Sequence, residues 1–130
     1  MTALLGTVAL TAGAAASLLG IGFLGAGLRR DLRLCVLAKP LAAAAFVAAA
    51  TAAGFMEWAL LTRDFSIAYV ADSTARATPV LYTAAALWGK LEGSILLWSV
   101  VASGFVALMA RRLAGRLAHE RAPAWALIAA

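Results

Sequence analysis

The sequence predicts an all-α integral membrane protein with three transmembrane helices, a short interfacial helix on the outer side and a partial fourth hydrophobic segment. Hydrophobic residues make up 65% of the 130 residues and charged residues only 13%, which is more apolar surface than a soluble domain of this length can bury. The apolar residues also form three runs near the roughly 20 residues that a helix needs to cross a bilayer. A soluble enzyme is therefore excluded.

The predicted spans cover about residues 4–28, 41–61 and 93–110, all in a single membrane domain of residues 1–130. A fourth apolar run at residues 122–130 is too short to cross a bilayer. We therefore expect either the front part of a longer membrane protein or a subunit whose last segment is interfacial. No secretory signal peptide is expected, because no basic residue precedes the apolar core of the first span.

The first two spans are rich in glycine and alanine, in place of the leucine-rich surface typical of an isolated anchor. Small residues let helix backbones approach each other closely. We therefore expect these helices to pack tightly within an assembly of many helices.

Basic residues predict the orientation of the chain. Eight of the eleven follow the first or the third span: Arg29, Arg30, Arg33, Lys39, Arg111, Arg112, Arg116 and Arg121. The positive-inside rule places these clusters in the cytoplasm, so that the N-terminus and the loop of residues 62–92 face outward. The net charge of +5 does not predict nucleic-acid binding, because these arginines adjoin span ends, where they meet anionic membrane lipid.

Residues that bind metals are scarce. Cys35 is the single cysteine, so it forms no internal disulfide, and we expect a small buried residue near the cytoplasmic end of the second span. His119 is the single histidine and follows the cytoplasmic arginines. We therefore expect no metal site, and no haem bound by this chain alone.

Glu57 is the one acidic residue inside a predicted span. Intramembrane carboxylates often serve proton or substrate transfer. Glu57 nevertheless lies only about 6 Å below Leu61, from where its side chain reaches the interface. Both interpretations stay open.

The outward loop carries the most specific pattern. Ile67, Tyr69 and Val70 make residues 67–70 a short β-branched and aromatic run that is compatible with extended structure, and residues 71–74 favour a turn. Thr78-Pro79 is a helix-start signal, with Thr78 as the cap, and predicts a short helix over residues 80–88.

Gly89 is predicted to end this helix, and Glu92 suits the first turn of the third span. Trp98 lies about 9 Å below Glu92, deeper than an interfacial aromatic needs. We expect Trp98 to pack against another helix or to face a flat ligand.

Three stretches of this region resemble the N-terminal part of cytochrome c haem lyase subunits of the CcmF/NrfE type. They are DFSIAYVA at 64–71, TPVLY at 78–82 and ALWGKLEGSILLW at 86–98. The sequence departs from the family at Leu91, where a histidine is usual, and at Asp72, Ser73 and Thr74, where asparagines are usual. Roles tied to that histidine or to those amides are not carried over to this chain.

The resemblance implies a multi-pass protein of the bacterial inner membrane that helps deliver haem and attach it to the CxxCH motifs of apocytochrome c. Its implied partners are other lyase helices or subunits, a haem chaperone, apocytochrome c and membrane lipid. Haem would be ligated from outside this chain, because the tryptophan-rich WWD motif and the haem-ligating histidines of the family lie downstream. No catalytic residue is predicted in this chain, and the candidates for positions near haem or a partner are Tyr69, Tyr82, Trp88, Glu92 and Trp98.

Two other functions stay open on the residues alone. The dense glycine and alanine also suit a structural subunit of another membrane complex without haem chemistry. Glu57, together with the same glycines, also suits an element of a small transporter or channel.

Overall fold

The structure, a computed structural model, describes residues 2–130 of the chain. Helices make up 84% of the residues, and this described part contains no β-strand, which confirms the all-α membrane fold class. The elements are α1 (Thr2–Arg29), a 3₁₀ helix (Leu32–Leu37), α2 (Ala38–Leu61), α3 (Ala68–Ser73), α4 (Val80–Gly89), α5 (Leu91–Leu117) and α6 (Ala122–Ala129).

Three helical segments are long and apolar enough to cross a membrane: Leu4–Arg29, Leu32–Leu61 and Leu91–Leu117. Each contains one of the three predicted spans. The third continues past residue 110, because arginine is a good helix former and its long side chain extends from the apolar region toward water. The partial fourth segment forms α6, and the predicted outer helix forms α4.

The long helices pack as a layer in which α2 lies between α1 and α5. Close approach occurs where one helix presents a glycine to its neighbour. A Cβ added to Gly13 would lie 3.1 Å from the Ala48 Cβ, and one added to Gly104 would lie 3.2 Å from the Phe46 ring. By contrast, a Cβ on Gly6, Gly22 or Gly25 would meet no atom within 4 Å. The predicted tight packing therefore depends on some glycines and not on others.

The core at the arginine-rich end of the bundle forms around Cys35. This side chain is fully buried and packs with Leu24, Ala110 and Leu117. The predicted burial of Cys35 is confirmed, although the residue lies in the 3₁₀ helix before α2. Helix α6 completes the same core with Ala124 and Leu127.

Gly27 is the glycine that this core requires. A Cβ at position 27 would collide with the Cys35 sulfur and would lie 3.1 Å from the Cys35 backbone nitrogen. The 3₁₀ helix can therefore fold back on α1 only because position 27 has no side chain.

We predict that Gly27→Ala destabilises the bundle, because overpacking a filled core typically costs about 1–3 kcal/mol. Gly25→Ala is the matched control, since its added Cβ would meet no atom within 4 Å. Thermal unfolding of both variants in detergent measures the difference. Equal melting temperatures for the two variants would contradict the assigned packing.

Candidate functional site

Residues 62–94, called the outer segment after their predicted orientation, run from the end of α2 through the first turn of α5 and carry most of the predicted site. The prediction of extended structure is wrong at residues 68–70, because helix α3 begins at Ala68 and ends at Ser73; only Ile67 is extended. Its six residues are too few for a stable helix in isolation. Tertiary packing stabilises it: Val70 is fully buried against Ala59 and Leu60 of α2.

Arg63 holds the first part of the outer segment to the stretch before α4. Its guanidinium donates to the carbonyl oxygens of Arg76 and Thr78, both at 2.8 Å. Its backbone has a φ of 55°, in the left-handed region that non-glycine residues adopt only when surrounding contacts fix it. The loop of residues 74–79 is thereby tied to the end of α2.

The start of α4 differs from the predicted cap. The Thr78 hydroxyl accepts a hydrogen bond from the Ala75 N–H at 3.0 Å, so it stabilises the turn before the helix and leaves the helix amides uncapped. Pro79 lies one position before the first helical residue, and its carbonyl oxygen accepts from the Tyr82 and Thr83 N–H groups. The helix begins beside the predicted proline, but by a different set of hydrogen bonds.

The junction between α4 and α5 is short and closely held. Helix α4 ends at Gly89 as predicted, Lys90 is extended, and α5 begins at Leu91 with Glu92 in its first turn. The Ser94 hydroxyl donates to the Trp88 carbonyl at 2.9 Å, and the Lys90 ammonium donates to the Asp72 carbonyl at 2.7 Å. These hydrogen bonds fix the angle between α4 and α5.

Tyr69 and Gly93 form the centre of this junction. The Tyr69 hydroxyl donates to the Ala86 carbonyl oxygen at 2.8 Å. A Cβ on Gly93 would collide with both the Leu87 carbonyl oxygen and the Tyr69 hydroxyl. Burial raises the pKa of Tyr69 above its ordinary value, so the hydroxyl keeps the proton that it donates. Three helices, α3, α4 and α5, therefore meet at one tyrosine and one glycine.

The other four candidates lie on the surface of the described chain. Tyr82 is 68% exposed, Trp88 63% and Trp98 69%, and Glu92 is exposed as well. Within residues 2–130, no helix covers Trp98, which shares an exposed stripe of α5 with Ile95. The structure thus places Tyr69, partly buried, in the junction and leaves the remaining candidates exposed.

Glu57 and His119 lie outside residues 62–94, in α2 and in the turn after α5. Glu57 is partly buried in the outer part of α2, without a hydrogen bond or ion pair to residues 2–130. His119 is exposed in the turn after α5. The 27 residues of α5 place it roughly 40 Å from Glu92. In the described part of the chain, no three His, Cys, Asp or Glu side chains converge as a metal site. These residues do not fit a haem-ligand set.

Comparison with known proteins identifies the relatives of the chain. No protein-family model matches it. It is 41% identical to the cytochrome c-type biogenesis protein CcmF of Pseudomonas aeruginosa over 88 residues, an alignment that covers 65% of this chain. It is 33% identical over 117 residues to the CcmF of Haemophilus influenzae, which covers 87% of this chain. The solved structure of a cytochrome c heme lyase CcmF superimposes on 98% of the chain with a TM-score of 0.81 and 36% identity.

This chain belongs to the CcmF family. The resemblance predicted from the three stretches of the outer segment is confirmed, and the match is to the N-terminal region of these proteins. The chain spans 13% of the length of the Pseudomonas aeruginosa CcmF, 18% of that of the Haemophilus influenzae CcmF and 22% of the solved CcmF chain.

We predict that Gly93→Ala disrupts the junction, because the new methyl group has no room beside the Leu87 carbonyl and the Tyr69 hydroxyl. The expected cost is about 1–3 kcal/mol, seen as a lower melting temperature in detergent. Gly89→Ala lies four residues away, and its Cβ would meet no atom within 4 Å. If Gly93→Ala has the same melting temperature as Gly89→Ala and the wild type, the close approach assigned to position 93 is wrong.

We predict that Tyr69→Phe weakens the same junction by about 1 kcal/mol, because the Ala86 carbonyl loses its side-chain donor. The expected signature is local: faster amide hydrogen exchange in α3 and α4, with unchanged exchange in α1. Tyr82→Phe is the control, because the Tyr82 side chain is 68% exposed. Unchanged exchange in α4 of Tyr69→Phe would show that the hydroxyl carries no such role.

Proposed function

We propose that this chain acts in cytochrome c biogenesis as the N-terminal portion, or a split subunit, of a CcmF-type haem lyase in a bacterial inner membrane. The relatives named above are bacterial proteins whose names carry this function. The single observation that carries the proposal for this chain is the outer segment. It is held in one conformation by its own side-chain hydrogen bonds, it packs on α2 through Val70, and it leaves Tyr82 and Trp88 exposed.

The proposed orientation follows from the charges. The arginine clusters adjoin the end of the bundle where Cys35 and Leu117 are buried, and the outer segment lies at the opposite end. With the arginines in the cytoplasm, the outer segment faces the periplasm. That is the side on which we propose that haem is attached to apocytochrome c.

In this proposal the exposed side chains form a contact surface and not a catalytic centre. Trp88 and Tyr82 present aromatic rings that suit a flat porphyrin or an apolar segment of apocytochrome c. Glu92 adds a negative charge suited to a basic side chain of a partner. Trp98, which lies deeper, suits contact with a neighbouring lyase helix.

The haem ligands would come from outside this chain, because the described residues offer no fitting set. The chain would therefore supply the support and one wall of the site. A haem chaperone and apocytochrome c are the partners that would approach this wall, and other lyase helices would pack against the bundle within the membrane.

We predict that Trp88→Ala lowers the yield of holocytochrome c in cells while the protein stays in the membrane at its normal level. The ring is 63% exposed, so its removal leaves the core intact. Trp125→Ala is the matched control, because Trp125 is 61% exposed on α6, beside the arginine-rich end. Haem staining of cytochromes and immunoblotting of the membrane fraction measure the two quantities. Normal holocytochrome c in Trp88→Ala would reject the proposed contact, and normal maturation after deletion of the protein would favour a structural subunit of another complex.

We predict that a cysteine at position 77 is labelled from outside the cytoplasmic membrane and that a cysteine at position 119 is not. Both positions are exposed in turns at opposite ends of the bundle. Ala77→Cys and His119→Cys, each in a Cys35→Ala background, are treated with a membrane-impermeant maleimide in intact cells whose outer envelope is permeable to it. Labelling of position 119 alone would reverse the proposed orientation.

A further inference from the structure

A groove runs along the cytoplasm-proximal half of α5, on a side that the other described helices leave open. It has a volume of about 640 Å³ and is lined by Ala102, Phe105, Met109 and Leu113, with Ala130 at the end of α6 along one edge. Phe105 is 68% exposed, so the groove opens toward the surroundings of the bundle. Its walls are apolar along their length.

One charged residue lines this groove, and it lies near one end. Arg112 is ten residues from Ala102 on the same helix, a separation of about 15 Å along the axis. That distance is half of the roughly 30 Å hydrocarbon core of a bilayer, and thus the depth of one leaflet. The groove combines a leaflet-deep apolar surface with a cation at the level where lipid headgroups lie.

Arg112 is available for a ligand. Within residues 2–130, its guanidinium makes no hydrogen bond and no ion pair, whereas the Arg116 guanidinium on the next turn donates to Glu120 at 3.0 Å. This hydrogen bond lowers the pKa of Glu120, so the carboxylate stays charged and engaged with Arg116. The 3₁₀ helix, which carries Arg33, packs against α5 at the same end. The local charge therefore favours an anion.

We propose that this groove binds an anionic phospholipid, with its phosphate on Arg112 and an acyl chain along Phe105, Met109 and Leu113. The charge complementarity selects the lipid class: a cation above an apolar groove matches a negatively charged amphiphile better than a zwitterionic one. The inference goes beyond the proposed role in cytochrome c biogenesis and does not depend on it.

The test is native mass spectrometry of the protein purified from its membranes, with whatever subunits it retains. Phosphatidylglycerol and phosphatidylcholine with the same acyl chains are added in equal amounts. The wild type is expected to retain phosphatidylglycerol preferentially. Arg112→Gln is expected to lower that preference about five-fold, which is the effect of one basic residue near an anionic membrane surface.

Two further variants separate a site from general surface charge. Arg111→Gln removes the same charge from the adjacent residue, which does not line the groove, and is expected to keep the preference. Ala102→Trp fills the groove without changing the charge and is expected to lower phosphatidylglycerol retention. Arg112→Lys keeps the charge and is expected to keep the preference, and Ala102→Trp carries the test if Arg112→Gln proves unstable in thermal unfolding.

Three results would overturn the proposal. The first is equal retention of the two lipids by the wild type. The second is an equal loss of preference in Arg111→Gln and Arg112→Gln, which would indicate unspecific attraction. The third is a photocrosslink from position 105 to another polypeptide in place of lipid, which would make the groove a helix contact. None of these readouts depends on cytochrome c maturation.

Discussion

The outer segment depends on the absence of a side chain at position 93. The first turn of α5 lies directly beneath the last turn of α4, so that the Leu87 carbonyl and the Tyr69 hydroxyl occupy the space that a Cβ would need. Because the two helices approach this closely, the Tyr69 hydroxyl donates to the Ala86 carbonyl and the Ser94 hydroxyl donates to the Trp88 carbonyl. These bonds fix the angle between α4 and α5. A larger residue at position 93 would separate the two helices and displace the Tyr69 hydroxyl that joins α3 to α4. The exposed ring of Trp88 therefore has a defined position because a residue five places later has no side chain.

The opposite end of the bundle uses the same device for a different purpose. There Gly27 admits the Cys35 sulfur, and the 3₁₀ helix folds back on α1 to bury Leu24 and Leu117 in one core. Between the two ends, the helices expose large apolar side chains such as Phe105. Such a surface is stable only in contact with lipid or with other membrane helices. The architecture thus has a packed core at each end, and the helices between the two cores need lipid or other helices around them. This arrangement suits a chain that matches one part of much longer proteins.

Hydropathy alone predicted the three spans because each consists of a long apolar run, and the Thr-Pro and Gly signals predicted the short helix α4. Local propensity failed at residues 68–70, where burial of Val70 against α2 outweighs the preference of Tyr69 for extended structure, whereas Ile67 is extended. The two hydrogen bonds from Arg63 join residues more than ten positions apart, and no local pattern signals them. From the sequence, Tyr69 also stood among the candidates for positions near haem or a partner, together with Tyr82 and Trp88, which the structure shows to be exposed. The role of Tyr69 in the junction depends on the close approach of helices at Gly93. The sequence does not reveal such an approach, because a glycine that contacts a neighbour, such as Gly27, cannot be told from one that does not, such as Gly25.

We propose above all that the ordered outer segment presents Trp88 to the cytochrome c maturation machinery. The most direct measurement places a photoreactive amino acid at position 88 in living cells that produce cytochrome c, with position 125 as the reference, and identifies the crosslinked molecules by mass spectrometry. We expect crosslinks from position 88 to haem, to apocytochrome c or to a protein required for its maturation, and none of these from position 125. Crosslinks from position 88 only to lipid, or only to subunits of a complex without a role in cytochrome c maturation, would contradict it.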